Sequence, residues 1–151
     1  MIKDEDLKLF FKNIEIVLRK YSPSELNKAI LEVLNKKQDK AIEISFILQT
    51  TATQYNTSVN ILKQKNCRGE NITNAKQMAY CLLKHRLDMS LRQISKNVFD
   101  NNHVSVDKGI KRLQNCDKNI KSDREFLEIY DKLSTIVNNF IIEQNQLNHN
   151  K

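Results

Sequence analysis

Residues 90–113, SLRQISKNVFDNNHVSVDKGIKRL, contain two short amphipathic segments separated by the polar turn 100–102. Ser90 and Gln93 have the spacing of a capping box, which predicts that a short helix begins there. A second helix is expected from His103. The positions expected inside are Leu91, Ile94 and Val98 in the first helix and Val106, Ile110 and Leu113 in the second, with Ser105, Lys108, Lys111, Arg112 and Asn115 outside. Two short helices, a tight turn and a basic outer face predict a helix-turn-helix.

Helical patterns also flank this motif. Apolar residues recur every three or four positions from Leu7 to Tyr21, and Ser22-Pro23-Ser24-Glu25 then supplies a capping box, so residues 1–40 predict a helical hairpin. After the polar stretch 35–40, residues 41–55 fit a helix or a strand, and we favour a helix. We expect a basic loop over 63–71, a helix over 74–85, and a long last helix whose capping box is Ser122 with Glu125. Residues 41–134 would form the central domain, and 135–151 the end of that helix with a frayed tail.

The composition of the 151 residues excludes several classes of protein. Two glycines and one proline are too few for a sandwich or barrel, for a Walker A loop or for a dinucleotide fingerprint, so we expect an all-α fold without a nucleotide site or other cofactor. The longest apolar run, 79–83, is too short to cross a membrane. The acidic start does not resemble a signal peptide, and three cysteines suggest reduced thiols, so we expect a cytoplasmic location.

The excess positive charge lies in the middle of the chain. The net charge is +7, and residues 59–121 hold 13 basic and 5 acidic side chains. Such a concentration is typical of proteins that bind polyanions, because Lys and Arg release counterions when they neutralise phosphates. A solvated basic face would give the same count.

The residues from about Ile44 to Leu133 resemble the carboxy-terminal DNA-binding domain of the bacterial replication initiator DnaA. The similarity is carried by four motifs, which are YNTSV at 55–59 with LKQK at 62–65, AKQMAY at 75–80, SLRQI at 90–94 and NNHVSV at 101–106. The family has Ala-Arg-Gln-Ile-Ala-Met at the second, Ser-Leu-Pro-Glu-Ile at the third and Arg-Asp-His-Thr-Thr-Val at the fourth. The resemblance implies an all-α helix-turn-helix of the DnaA carboxy-terminal, Trp-repressor-like type.

The resemblance also implies how DNA would be contacted. Lys65 and Arg68 would reach the minor groove, and Lys76 stands at an arginine of the family. His103 and Ser105 are the best matches in the fourth motif. Asn101, Asn102 and Val104 replace Arg, Asp and Thr, although Val can still touch a thymine methyl group. The predicted DNA-binding residues are Lys65, Arg68, Lys76, Lys84, Ser90, Arg92, Asn101, Asn102, His103, Val104, Ser105, Lys108 and Lys111.

The leading hypothesis is a protein that binds double-stranded DNA in replication initiation or transcription control. The alternative is a helical adaptor with a degenerate DnaA-like domain. The terminal helices carry enough large apolar residues for a homodimer or a protein partner, and an intramolecular bundle of these helices would account for the same residues equally well. Cys81 with His85 has a spacing compatible with a metal or a nucleophile and its base, and Ser105 with His103 could be a second such pair, but neither has further ligands or an orienting group. We therefore predict no metal site and no enzyme.

Overall fold

The computed structural model describes residues 4–150, which contain six α-helices, one π-helical segment and no strand. The all-α prediction is confirmed. The helices are α1 Asp4–Lys20, α2 Pro23–Gln54, α3 Val59–Lys63, α4 Glu70–Leu87, α5 His103–Gln114 and α6 Lys121–His149, with the π-helical segment Gln93–Val98 between α4 and α5. The chain divides into two compact units, Met1–Asp39 and Lys40–Lys151.

The first unit holds α1 and the start of α2. Ser22 and Glu25 form the predicted capping box, in which the backbone N–H of Ser22 donates to Glu25 Oε2 at 2.8 Å and the N–H of Glu25 donates to Ser22 Oγ at 3.3 Å. Two helices are therefore present where a hairpin is predicted. However, no side chain of α1 is buried.

The helix α2 is longer than the sequence suggests. The prediction of a break at residues 35–40 is wrong, because that stretch is helical. Its residues are polar but include neither Gly nor Pro, so nothing in it interrupts the backbone hydrogen bonds. Residues 41–54, which fit either helix or strand, are helical too, and the buried residues of α2 all lie in this part: Ile47, Leu48, Thr51 and Ala52.

The core of the second unit is built around α4, which packs against α3, α5, α6 and the π-helical segment. Seven residues of α4 are buried, which are Ala75 and the consecutive run Met78, Ala79, Tyr80, Cys81, Leu82 and Leu83. On another side of the core, the rings of Phe46 in α2 and Phe140 in α6 stack with centroids 3.8 Å apart. A helix buried over so much of its surface acts as the central element of the unit.

Several further features of the helices differ from the sequence prediction. The helix α4 begins at Glu70, so the basic loop is shorter than 63–71. The capping box of Ser122 with Glu125 does not form, because α6 begins at Lys121 with Ile120 at the N-cap position. The segment Gln93–Val98 has π-helical geometry, in which the N–H of Phe99 donates to the carbonyl of Ile94 five residues back. At the other end α6 stays helical through residues 145–149, and residue 151 lies outside the described part.

Helices α4 and α5 approach closely at Gly109. A Cβ atom at this position would lie 2.7 Å from Tyr80 Cδ2 and 3.2 Å from Gln77 Cγ. The Tyr80 ring is fixed on its other side by Phe99, which meets it edge-on with centroids 4.8 Å apart. Glycine at 109 therefore sets how deeply α5 can seat against α4.

We expect Gly109→Ala to destabilise the protein by about 1–3 kcal/mol, because the new methyl group would push against a ring that cannot withdraw. Alanine has the higher helix propensity, by about 1 kcal/mol, so a purely local effect would be stabilising. The sign of the change in the urea unfolding midpoint distinguishes a clash with the Tyr80 ring, which lowers the midpoint, from a local gain in helix propensity, which raises it. Ser105→Ala, exposed on the same helix, is the control and should shift stability by less than about 0.5 kcal/mol.

Candidate nucleic-acid interface

The helix α5 has an inner face that holds it to the core and an outer face that is exposed. Val106, Gly109 and Ile110 are buried. Val104, Lys108 and Lys111 are exposed and lie at positions i, i+4 and i+7, which form one continuous stripe on a helix. His103 and Ser105 are exposed as well, in the first turn. The start of the second helix predicted from the sequence is thus confirmed, as are its inner positions Val106 and Ile110.

The turn before α5 is held by hydrogen bonds. Asp100 has a positive φ of 45°, and the N–H of Asn101 donates to the carbonyl of Ser95 at 2.6 Å. Asn101 Nδ2 donates to the Tyr80 hydroxyl at 3.3 Å, while its Oδ1 accepts from the N–H of Asn102 at 2.8 Å. Both polar groups of the Asn101 side chain are therefore bonded inside the protein.

Asn102 is the N-cap of α5. Its Oδ1 accepts from the N–H of Val104 at 2.9 Å and satisfies one of the free donors of the first turn. Because Asn102 caps the helix, the side chain of His103 is not used as a cap and is left exposed. Ser90 and Gln93 form the capping box predicted for the preceding helix, with bonds of 2.9 and 3.2 Å.

Two shallow grooves bring most of the predicted residues of the motif together. The first lies between the basic loop and the turn and is lined by Lys65, Lys96, Asp100, Asn101, Asn102 and His103. The second follows the first helix of the motif and is lined by Ser90, Arg92, Gln93, Lys96 and Asn97. Lys96 lines both grooves, yet it is absent from the predicted set. Its position four residues after Arg92, and so on the same helix face, is the signal that could have found it.

The basic loop is tied to neighbouring elements. Lys65 Nζ lies 3.1 Å from Asp100 Oδ2. Lys76 Nζ donates to the carbonyl of Gln64 at 2.5 Å, which places the predicted Lys76 at the end of α3 rather than free in solvent. Arg68 is exposed in the loop, two residues before α4 begins at Glu70.

The remaining predicted lysines lie on α4 and α5. Lys108 is exposed on α5. Lys111 Nζ lies 2.6 Å from Asp107 Oδ2, one turn earlier on that helix. Lys84 is half-buried in the last turn of α4, with Nζ 3.8 Å from Asp88 Oδ1, and it lines neither groove.

The prediction that Arg112 points outward is wrong. Its Nη1 donates to Gln77 Oε1 at 2.6 Å and to Asn74 Oδ1, both on α4. Its guanidinium carbon lies 4.3 Å from the ring centroid of Phe126 in α6. A planar cation with several donors can join two amide oxygens and an aromatic face at once, and Arg112 thereby connects three helices.

The two candidate catalytic or metal pairs find no support in these surroundings. Cys81 is buried, and burial raises the pKa of its thiol to about 12. The thiol points at the carbonyl of Gly109, with Sγ and O 3.6 Å apart, so Cys81 fills a core position and stays protonated. Ser105 and His103 are both exposed on α5. Within residues 4–150 no three His, Cys, Asp or Glu residues cluster as a metal site would require.

Among the helices described between residues 4 and 150, none has the length and apolar character needed to cross a bilayer.

A short first helix, a tight turn and a second helix with a basic exposed face define the DNA-binding class of helix-turn-helix domains. Residues 44–113 match the family model described as the bacterial dnaA protein helix-turn-helix. This segment belongs to that family, and the resemblance noted in the sequence is confirmed. The DnaA helix-turn-helix is a DNA-binding domain of replication initiation.

Two relatives carry the same name. The chain is 29% identical over 127 residues to the chromosomal replication initiator protein DnaA of Oenococcus oeni. The aligned residues make up 83% of this chain and 27% of that protein. It is 33% identical over 109 residues to the protein of the same name from Buchnera aphidicola subsp. Baizongia pistaciae, covering 70% of this chain and 23% of that protein. The chain thus spans about a quarter of the length of these relatives. No solved structure matches it.

We expect Arg112→Met to destabilise the second unit by about 2–3 kcal/mol, because two amide acceptors and the face of Phe126 lose their partner while the volume is nearly kept. Lys111→Met, which removes the neighbouring exposed charge, is the control and should change stability by less than about 0.5 kcal/mol. Urea unfolding followed by circular dichroism measures both. Equal effects would show that Arg112 contributes no more than a surface charge.

Proposed function

We propose that this chain binds double-stranded DNA through α5 and takes part in the initiation of replication or its control. The observation that carries the proposal is the exposed face of α5, which adjoins two grooves rich in basic and amide side chains, in a segment of the DnaA helix-turn-helix family. A helix presented in this way fits the major groove. The family membership favours this function over the adaptor hypothesis.

The residues divide by the contacts they can make. His103, Val104 and Ser105 lie in the first turn of α5, the part of a recognition helix that meets base edges. Val104 is 45% exposed and offers methyl groups to thymine. The exposed cations are proposed to hold phosphates: Lys65, Arg68, Arg92, Lys96, Lys108 and Lys111.

The other predicted residues support the surface. Asn101 and Asn102 fix the turn and the start of α5, and Ser90 caps the first helix. Lys76 anchors the loop through Gln64. Lys84 lies outside both grooves, and we propose for it only a long-range contribution to the positive field.

We also propose the wider setting. DNA binding by this domain requires no nucleotide, metal or catalytic step, and the protein acts in the cytoplasm at the nucleoid. The exposed apolar residues of the terminal helices, such as Phe11 in α1 and Ile142 and Leu147 in α6, would serve a protein partner.

The affinity for random duplex DNA should fall steeply with added salt. Replacing Lys96 or Lys108 by Ala should make the slope of log affinity against log salt shallower by about 0.9 for each phosphate that the variant no longer neutralises. Lys132→Ala, an exposed change on α6, should leave the slope unchanged. Fluorescence anisotropy at several salt concentrations measures all three, and a salt-independent affinity would contradict the proposal.

His103→Ala should reduce sequence discrimination rather than general affinity. With a preferred duplex selected from a random pool, we expect discrimination against a scrambled duplex to fall by about 1–3 kcal/mol if the imidazole contacts a base. Lys108→Ala should instead weaken both complexes by similar amounts. Competition titrations with the two duplexes provide the measurement. If His103→Ala weakened binding to both duplexes equally, His103 would contact the DNA backbone rather than a base.

A further inference from the structure

The helix α1 presents an apolar surface that no part of its own helix or unit buries. Phe10 and Phe11 are 56% and 65% exposed, and no residue of Asp4–Lys20 is buried. The large apolar residues exposed on this helix are Leu7, Leu9, Phe10, Phe11, Ile14, Ile16 and Leu18. A helix of this length is marginal alone in water, and a patch of this kind marks an interaction site.

The apolar positions follow a heptad pattern that reads the same in both directions. Leu7, Phe11, Ile14 and Leu18 are separated by four, three and four residues, which assigns them to positions d, a, d and a. When two copies of this helix run antiparallel about a point between residues 12 and 13, Leu7 lies opposite Leu18 of the second copy. Phe11 then lies opposite Ile14 of the second copy. The layers between residues 7 and 18 are thus filled by large apolar pairs, whereas Asp4 at the end of the helix falls at position a opposite Tyr21 of the second copy.

The charges of α1 select the same arrangement. Lys8 and Glu15 both fall at position e, and antiparallel helices bring the two e positions together, so that Lys8 faces Glu15 of the other copy. The first turn of α1 is acidic and its last turn is basic. An antiparallel pair places these opposite ends side by side and also opposes the two helix dipoles. A parallel pair would bring like charges together.

We propose that α1 pairs antiparallel with α1 of a second copy of this chain, about a two-fold axis that passes between Lys12 and Asn13. The side chains on the contacting face are Leu7, Phe10, Phe11, Ile14 and Leu18, all of them exposed in the single chain, so that the interface is a small one held by apolar contact and matched charges. A two-fold interface uses one patch twice, which suits a stripe with a palindromic pattern. The pairing involves only the first unit and does not rest on the DNA-binding proposal.

The first test compares two isoleucines of the same helix in the full chain. Ile14 lies in the stripe, whereas Ile16 lies at position f on the opposite face and is 49% exposed. Molar mass by sedimentation equilibrium from about 1 to 100 µM, a range in which modest interfaces associate, should show a dimer for the natural chain. Ile14→Asp should weaken the dimer at least tenfold and Ile16→Asp should leave it unchanged. A natural chain that is monomeric throughout, or equal effects of the two changes, would overturn the proposal.

The second test reverses charges and leaves the apolar stripe intact. Lys8→Glu should weaken the dimer, since two glutamates would then face each other, and Lys8→Glu combined with Glu15→Lys should restore it. Far-ultraviolet circular dichroism verifies that each variant keeps its helix content. Restoration supports the antiparallel register. The antiparallel register is overturned if Lys8→Glu does not change the dimer affinity, or if the double variant dimerises no more tightly than Lys8→Glu alone. The affinity for random duplex DNA, measured on the same variants, reports separately on DNA binding.

Discussion

The close contact between α4 and α5 is the constraint on which the presented surface depends. Glycine at 109 allows α5 to lie directly against the ring of Tyr80, and the hydroxyl of that ring accepts from Asn101 in the preceding turn. One aromatic side chain thus fixes both the depth of α5 and the position of the turn that starts it. The exposed residues of the first turn, including His103, are rigidly placed because the residues beneath them cannot shift independently.

Arg112 connects α4 and α5 to α6. It is a basic residue in a basic segment, but its charge is directed to the amide oxygens of Asn74 and Gln77 and to the ring of Phe126. The guanidinium therefore serves packing and is not free to contact a phosphate directly, while its charge still adds to the positive field of the segment. The positive charge that remains for a polyanion lies on Lys96, Lys108 and their exposed neighbours, which are concentrated around the motif.

Features with local causes could be predicted from the sequence, and features that need a distant partner could not. The capping boxes at Ser22 and Ser90 and the start of α5 depend on residues a few positions apart, so pattern alone found them. The role of Arg112 depends on α4 and α6, and next to Lys111 it looks like any solvent-facing cation. The continuous α2 was missed because a polar stretch without a helix breaker reads equally as a linker or as an exposed helix.

The ion pair between Lys65 and Asp100 affects the charge that the basic loop presents. Both side chains are largely exposed, at 58% and 80%, so the pair exchanges readily with solvent and contributes little to stability. Asp100 nevertheless acts as an intramolecular counterion for the loop. In the DNA-binding function proposed above, a phosphate at Lys65 would compete with the carboxylate of Asp100, which the fold holds close to the lysine. The positive charge that the loop offers to a polyanion is therefore smaller than its number of basic residues indicates.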